Sequence, residues 1–347
     1  GLAYLTLVRF FFFFPYITES NKSDLYPSNV GTDDLVWSLI IEDLKFASAK
    51  LPAKQTGANV GRATAGAAQA LLAKAYLTRA GKPWNKSENW ALAAAETKSI
   101  MENAAYGYGL IEDYNSVFNL ANEHGKEYVF SIETESTINL GKDYASLTGI
   151  RSGNQVRLDG WSALISEVPF INSMTNVDKR KNKTFVMSYP DVRGTGLIYT
   201  YPETIALPHF NKFINADDVN ATGTADYATN MPIMRYSDIL LMHSEAENEA
   251  NGPSTEAVKG INQVRARAGL ELLKPENLTK ESFRDAIIQE RVWEFAAEGQ
   301  AYFDLKRQNA LEKRVKNANI AAKHYAFPVP QNELDVNPNL TQHPLYK

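Results

Sequence analysis

The chain has 347 residues, enough for one large domain or two ordinary ones, with 44% hydrophobic and 22% charged residues as in folded globular proteins. Its net charge of −4 argues against a nucleic-acid binder, which needs a basic footprint. Cysteine is absent, which excludes disulfides, thiolate metal sites and a cysteine nucleophile together.

The most apolar stretch, Leu2 to Phe14, is interrupted by Arg9 and is too short to span a bilayer, so it reads as part of a buried helix. Five consecutive rings, Phe10 to Phe14, cannot share one helical face. A helix is predicted over 34–50, with Val36, Ile40, Leu44, Ala47 and Leu51 at helical spacing and Pro52 as its stop. An alanine-rich helix over 62–79, a turn at 81–85 and a helix over 88–103 follow, the last with the stripe Trp90, Ala94, Thr97 and Met101. Two helices joined by a short turn form a tetratricopeptide-like hairpin.

After a predicted strand at 127–133, residues 134–232 scatter Gly, Pro, Asn, Asp and Thr without a sustained helical period. The hairpin pattern returns over 233–268. Ile239, Met242, Ala246 and Ala250 line its first helix, Asn251-Gly252-Pro253 turns the chain, and Ala257, Ile261, Val264 and Ala268 line the second. A last long helix is predicted from Lys280, capped by Thr279, to about Ala297 before Gly299. The fold class is therefore mainly α, a helical-hairpin scaffold with a long loop-rich insert and a few short strands. We treat 1–347 as a single domain, with an N-terminal helical part (1–133), an insert (134–232) and a C-terminal helical part (233–347).

Signatures of chemistry are scarce. The Gly-Lys pairs are followed by Pro83, Glu127 and Asp143, so none supplies the hydroxyl of a phosphate-binding loop. The five histidines are scattered, and His243 reads as a packed or surface residue rather than a metal ligand. Glu290, Glu294 and Glu298 recur every four residues and would share a helix face. Glycoside cleavage needs two carboxyls across a sugar, so carboxylates stacked beside arginines read better as ion pairs fixing helix to helix. No catalytic residue, metal or cofactor is expected.

Several stretches carry a family resemblance. Pro232 to Ala246 is similar to an arginine-led helix ending in an alanine-rich segment, and Ile261 to Leu270 resembles an "INxVRxRAGL" motif. Glu290-Arg291, Glu294, Glu298-Gly299 and Asp304 to Arg307 resemble an "ERxxELxxEGxRxxDLxR" block. Phe327-Pro328-Val329-Pro330 with Asn337-Pro338-Asn339-Leu340 resembles a C-terminal "PIP…NPNL" signature, with Leu345 in place of the usual closing glycine. Gly61 to Tyr76 and Tyr108 to Phe118 extend the match upstream. Together they resemble the SusD/RagB-like family of outer-membrane nutrient-binding lipoproteins. The resemblance implies a tetratricopeptide-like scaffold, a lipidated N-terminal cysteine and a seat over a SusC-like TonB-dependent transporter at the cell surface. It also implies that about a hundred residues precede Leu2 in the whole protein. The implied ligand is an oligosaccharide, or alternatively a peptide; a soluble tetratricopeptide scaffold is the remaining alternative.

The candidate ligand residues lie in the insert. They are Trp161 with Arg157 and Asp159 just before it, and the group Tyr189, Tyr199 and Tyr201. An aromatic among turn-formers can cover the apolar face of a sugar ring while Arg and Asp meet its hydroxyls. Each of these residues could equally anchor its loop in a core.

Overall fold

A computed structural model describes residues 1–29, 33–136, 143–152, 160–215, 218, 227–315 and 318–347. Helix α1 (Leu2–Phe11) ends inside the phenylalanine run, where Phe12 takes a φ of 65°. The break sends the rings in different directions. Phe10 meets Phe303 and Phe327, Phe12 meets Trp84, Phe13 stacks on His343, and Phe14 lies buried against Tyr4. No helix among the described residues is long and apolar enough to cross a membrane.

The scaffold begins with α2 (Asp33–Lys50), α3 (Ala65–Ala80) and α4 (Asn89–Glu102). The expected start of α3 at Arg62 shifts to Ala65, because the Thr64 hydroxyl accepts the Ala67 N–H and caps the helix there. Strand β1 (Tyr128–Ile132) then leads into the insert, which holds the short helices α5 (Tyr144–Thr148), α6 (Val168–Ser173) and α7 (Lys181–Thr184) and the strands β2 (Ser188–Pro190) and β3 (Ile198–Thr200). Strand β4 (Met231–Arg235) pairs antiparallel with β1, so the chain is extended where the sequence predicts a helix from 233. In a two-stranded sheet every strand is an edge, which tolerates Pro232. The C-terminal scaffold comprises α8 (Tyr236–Asn251), α9 (Thr255–Ala268), α10 (Lys280–Glu294) and α11 (Ala301–Arg307).

Helix α3 packs on α2 and α4, α4 packs on α8, and α8 packs on α9 and α10. The two predicted hairpins are therefore neighbours, and the insert leaves from one and returns to the other. Ile239, Leu240, Leu241 and Met242 of α8 are wholly buried, each worth roughly 1.5–3 kcal/mol relative to exposure. Ile239, Met242 and Ala246 point inward as predicted, whereas Ala250 is exposed in the last turn of α8. Helix α9 approaches so closely at Gly260 that a Cβ there would lie 2.0 Å from the Leu240 carbonyl oxygen.

Buried charge joins the insert to the scaffold. Arg235 donates to Glu127, Glu294 and Glu298, while Arg267 bridges Glu127 and Glu294. From the insert, Arg180 reaches Asp178, Glu290 and Glu294, and Lys212 reaches Glu298. Burial opposes the Glu294 charge, but Arg267, Arg235, Arg180 and Lys212 outweigh it and hold the carboxyl well below its ordinary range. Burial also draws Lys212 down to about 8 against the pull of Glu298. A second cluster links Lys74 and Arg291 to Asp238, and Arg291 and Arg307 to Asp304. Glu298 does not continue the helix as its spacing predicts. Helix α10 ends at Glu294, and positive φ angles at Ala297 and Gly299 turn the chain; Glu298 meets Arg235 from that turn.

Candidate functional site

The surface around Trp161 is built by backbone pairing. The segment after Gly160 runs back along α5: Gly160 N–H donates to Ile150 O at 2.6 Å, Trp161 to Ser146 at 2.7 Å, Ser162 to Gly149 at 3.0 Å and Leu164 to Leu147 at 2.8 Å. Position 160 must be glycine, since a Cβ would sit 2.4 Å from the Gly149 carbonyl carbon. Ser162 has a φ of 53°, and its hydroxyl oxygen accepts the Arg151 N–H at 2.8 Å and lies 2.9 Å from His209 Nε2. Burial lowers the His209 pKa, which keeps the ring neutral. Held at both flanks, Trp161 remains 40% exposed, beside the exposed Leu164 and Ile165.

The tyrosines form a neighbouring cluster. Tyr189 and Tyr199 face each other across the β2–β3 ladder, with rings stacked at 5.1 Å. With Tyr201 they are half-buried around Ile150, Val186 and Ile205. The cluster adjoins the Trp161 loop through Ile150, whose carbonyl accepts the Gly160 N–H. Arg157 and Asp159 lie outside the described residues.

Sequence reasoning missed an apolar cleft of about 740 Å³ between the insert and α10–α11. Ile165, Phe170, Phe210, Val292, Phe295 and Tyr302 line it. Trp293 pins its wall by donating to the Ser173 hydroxyl at 3.0 Å. Ile165 belongs both to this cleft and to the apolar surface beside Trp161, so the two adjoin. Phe170 and Phe210 gave no sequence signal beyond being aromatic, because the cleft forms only when distant segments meet. Glu290 and Glu294 are buried, the Glu298 side chain is only 3% exposed, and all three are committed to cations, so the ion-pair reading holds. Among the described residues no cluster of His, Asp and Glu is arranged to hold a metal ion.

Comparison with known proteins places this architecture. A SusD-like protein of Formosa agariphila, P2, is 30% identical over 98% of this chain and 71% of its own length. A second from the same organism, P25, is 27% identical over 89% of this chain and 64% of its own length. A SusD superfamily structure from Parabacteroides distasonis superposes with a TM-score of 0.83 at 25% identity, covering 99% of this chain and 76% of that one. A laminarin-binding SusD-like protein gives 0.81 at 25% identity, again over 99% and 76%. The SusD family profile matches residues 48–346, and with the shared helical architecture this establishes that the chain belongs to the SusD family.

Proposed function

We propose that the protein captures an oligosaccharide at the cell surface and delivers it to a SusC-like TonB-dependent transporter, held at the outer membrane by a lipid anchor. Trp161 carries this reading. A large aromatic ring is 40% exposed on a loop fixed by four backbone hydrogen bonds, so it meets a ligand without first having to be ordered. Its face suits the apolar face of a sugar ring, and Arg157 and Asp159, adjacent in sequence, are the proposed hydroxyl partners. Tyr189, Tyr199 and Tyr201, half-buried around Ile150, are proposed as further ligand contacts beside it. A few contacts of about 1 kcal/mol each give affinities of roughly micromolar to millimolar, which suits a protein that must release its ligand. Binding without turnover fits the commitment of Glu290, Glu294 and Glu298 to ion pairs.

The apolar cleft beside Ile165 favours a second reading, capture of a peptide whose apolar side chain fills it. Calorimetry with an oligosaccharide panel that includes laminarihexaose, and with apolar peptides, separates the two. The first reading expects a glycan to bind and Trp161→Ala to weaken it at least several-fold with unfolding unchanged. Equal affinity in parent and variant would remove Trp161 from the site.

A further inference from the structure

A smaller groove, about 250 Å³, lies between the start of α3, the segment 106–109 and β1. Lys54, Arg62 and Lys126 line it, all exposed and none ion-paired among the described residues, and no carboxylate shares the lining. In a chain of net charge −4 this is a local reversal of sign. The two lysines lie against the two glycines of Tyr106-Gly107-Tyr108-Gly109. A Cβ on Gly107, whose φ is +68°, would sit 2.7 Å from Lys54 Nζ, and one on Gly109 would sit 3.4 Å from Lys126 Cδ. The missing side chains let both lysines close in on one strip of backbone.

That strip is rigid. Gly109 N–H donates to Lys126 O at 2.9 Å, Tyr106 donates to Gln69 Oε1 at 2.9 Å, and the Tyr108 hydroxyl lies 3.2 Å from that of Thr64. Thr64 is also the N-cap of α3, whose positive end adds to the field of the three cations. His124, at the rim, is balanced by Glu133 at 3.1 Å, and Glu133 also accepts from Ser131 and Asn230. That carboxylate also lies against Gly61 at the edge of the groove, where the three cations outnumber it. The tyrosine rings and Phe130 supply apolar faces beside the charges.

We propose that this groove binds an acidic sugar, a pyranose ring bearing a carboxylate or a sulfate. The lysines and Arg62 take the oxyanion, and the aromatic rings take the ring face. The volume, below the roughly 300–1,000 Å³ of sites for larger ligands, admits one such unit. The choice of a sugar rests on the glycan-capture reading above, but the groove is separate from Trp161 and is tested separately.

The test titrates the intact protein with glucuronate, a glucose sulfate ester, neutral glucose and sodium sulfate, followed by NMR shifts. The acidic sugars should bind about tenfold more tightly than glucose and weaken as salt rises. The double variant Lys54→Gln, Lys126→Gln should reduce that binding about tenfold, while Trp161→Ala leaves it unchanged. Glucose binding as well as the acidic sugars would overturn the proposal. Sulfate alone binding as tightly as the sulfated sugar would overturn the assignment of a sugar. Acidic-sugar binding that survives the double lysine variant and disappears in Trp161→Ala would move it to the other surface and overturn the site. Loss of neutral-glycan binding at Trp161 alone would touch only the function proposed above.

Discussion

The Thr97 hydroxyl oxygen lies 3.1 Å from His243 Nδ1 in the dry seam between α4 and α8, although 146 residues separate the two. Burial lowers the pKa of His243, so the ring is neutral and its bond with the hydroxyl joins the N-terminal hairpin to the C-terminal one. Thr97→Val keeps the shape and removes that bond, leaving the buried ring nitrogen only the Ala94 backbone. The expected loss is about 1–3 kcal/mol, read from the urea midpoint. An unchanged midpoint would mean that packing alone sets the seam.

Gly260 should tolerate no side chain. Its Cβ position lies 2.0 Å from the Leu240 carbonyl oxygen, in backbone that cannot give way without shifting α8 against α9. Although alanine is the better helix former, Gly260→Ala is expected to destabilise by about 1–3 kcal/mol. Thermal unfolding of the variant checks the sign, because a rise in Tm would contradict the close approach.

The buried charge cluster should be structural and catalytically silent. Arg235→Met leaves Glu294 and Glu298 short of a cation in a dry site, and should cost about 3–5 kcal/mol in chemical denaturation. Incubating the parent with any glycan it binds should yield no cleavage products. Turnover that disappears in Glu294→Gln would refute both the structural role and the binding function.

Glu123 should give stability a distinct pH dependence. Burial, with Glu133, Asp218 and Glu135 nearby, raises its pKa to about 7, although the Asn230 N–H opposes this. The folded state therefore holds a proton that the unfolded chain releases near 4.5. Its contribution is complete below that value and is lost as pH rises through about 7. Glu123→Gln keeps an acceptor for Asn230 and removes the titration. The variant should gain on the parent as pH rises from about 5 to about 8. A constant difference between their midpoints across that range would contradict the shift.

Periodicity made the scaffold legible. Ala94 and Thr97 on one helix, and Ile261 and Val264 on another, occupy the buried positions their spacing predicts. Thr279 caps α10 as its sequence implies, through a reciprocal pair with Ser282. What could not be read was anything settled between distant segments. Arg180 and Lys212 carry no mark in sequence as partners of Glu290 and Glu298. Strands β2 and β3 are three residues each, too short for alternation to register, so the stacking of Tyr189 on Tyr199 was invisible. Residues 233–235 read locally as the start of a helix, because the partner that extends them lies about a hundred residues upstream in β1. Trp161 was identified as an aromatic among turn-formers, but its exposure depends on Gly160 meeting Gly149.

Arg180 and Lys212 moor the insert to the carboxylates of the C-terminal scaffold from within, beneath the surface that faces solvent. A charged pair in a dry site is directional, so these two cations set the orientation of the lobe together with the bonds from Tyr144 to Ala297 and from Trp293 to Ser173. Its outer residues are thereby relieved of holding it in place. Most of that exterior could be exchanged while the lobe stayed seated on the same inner anchors.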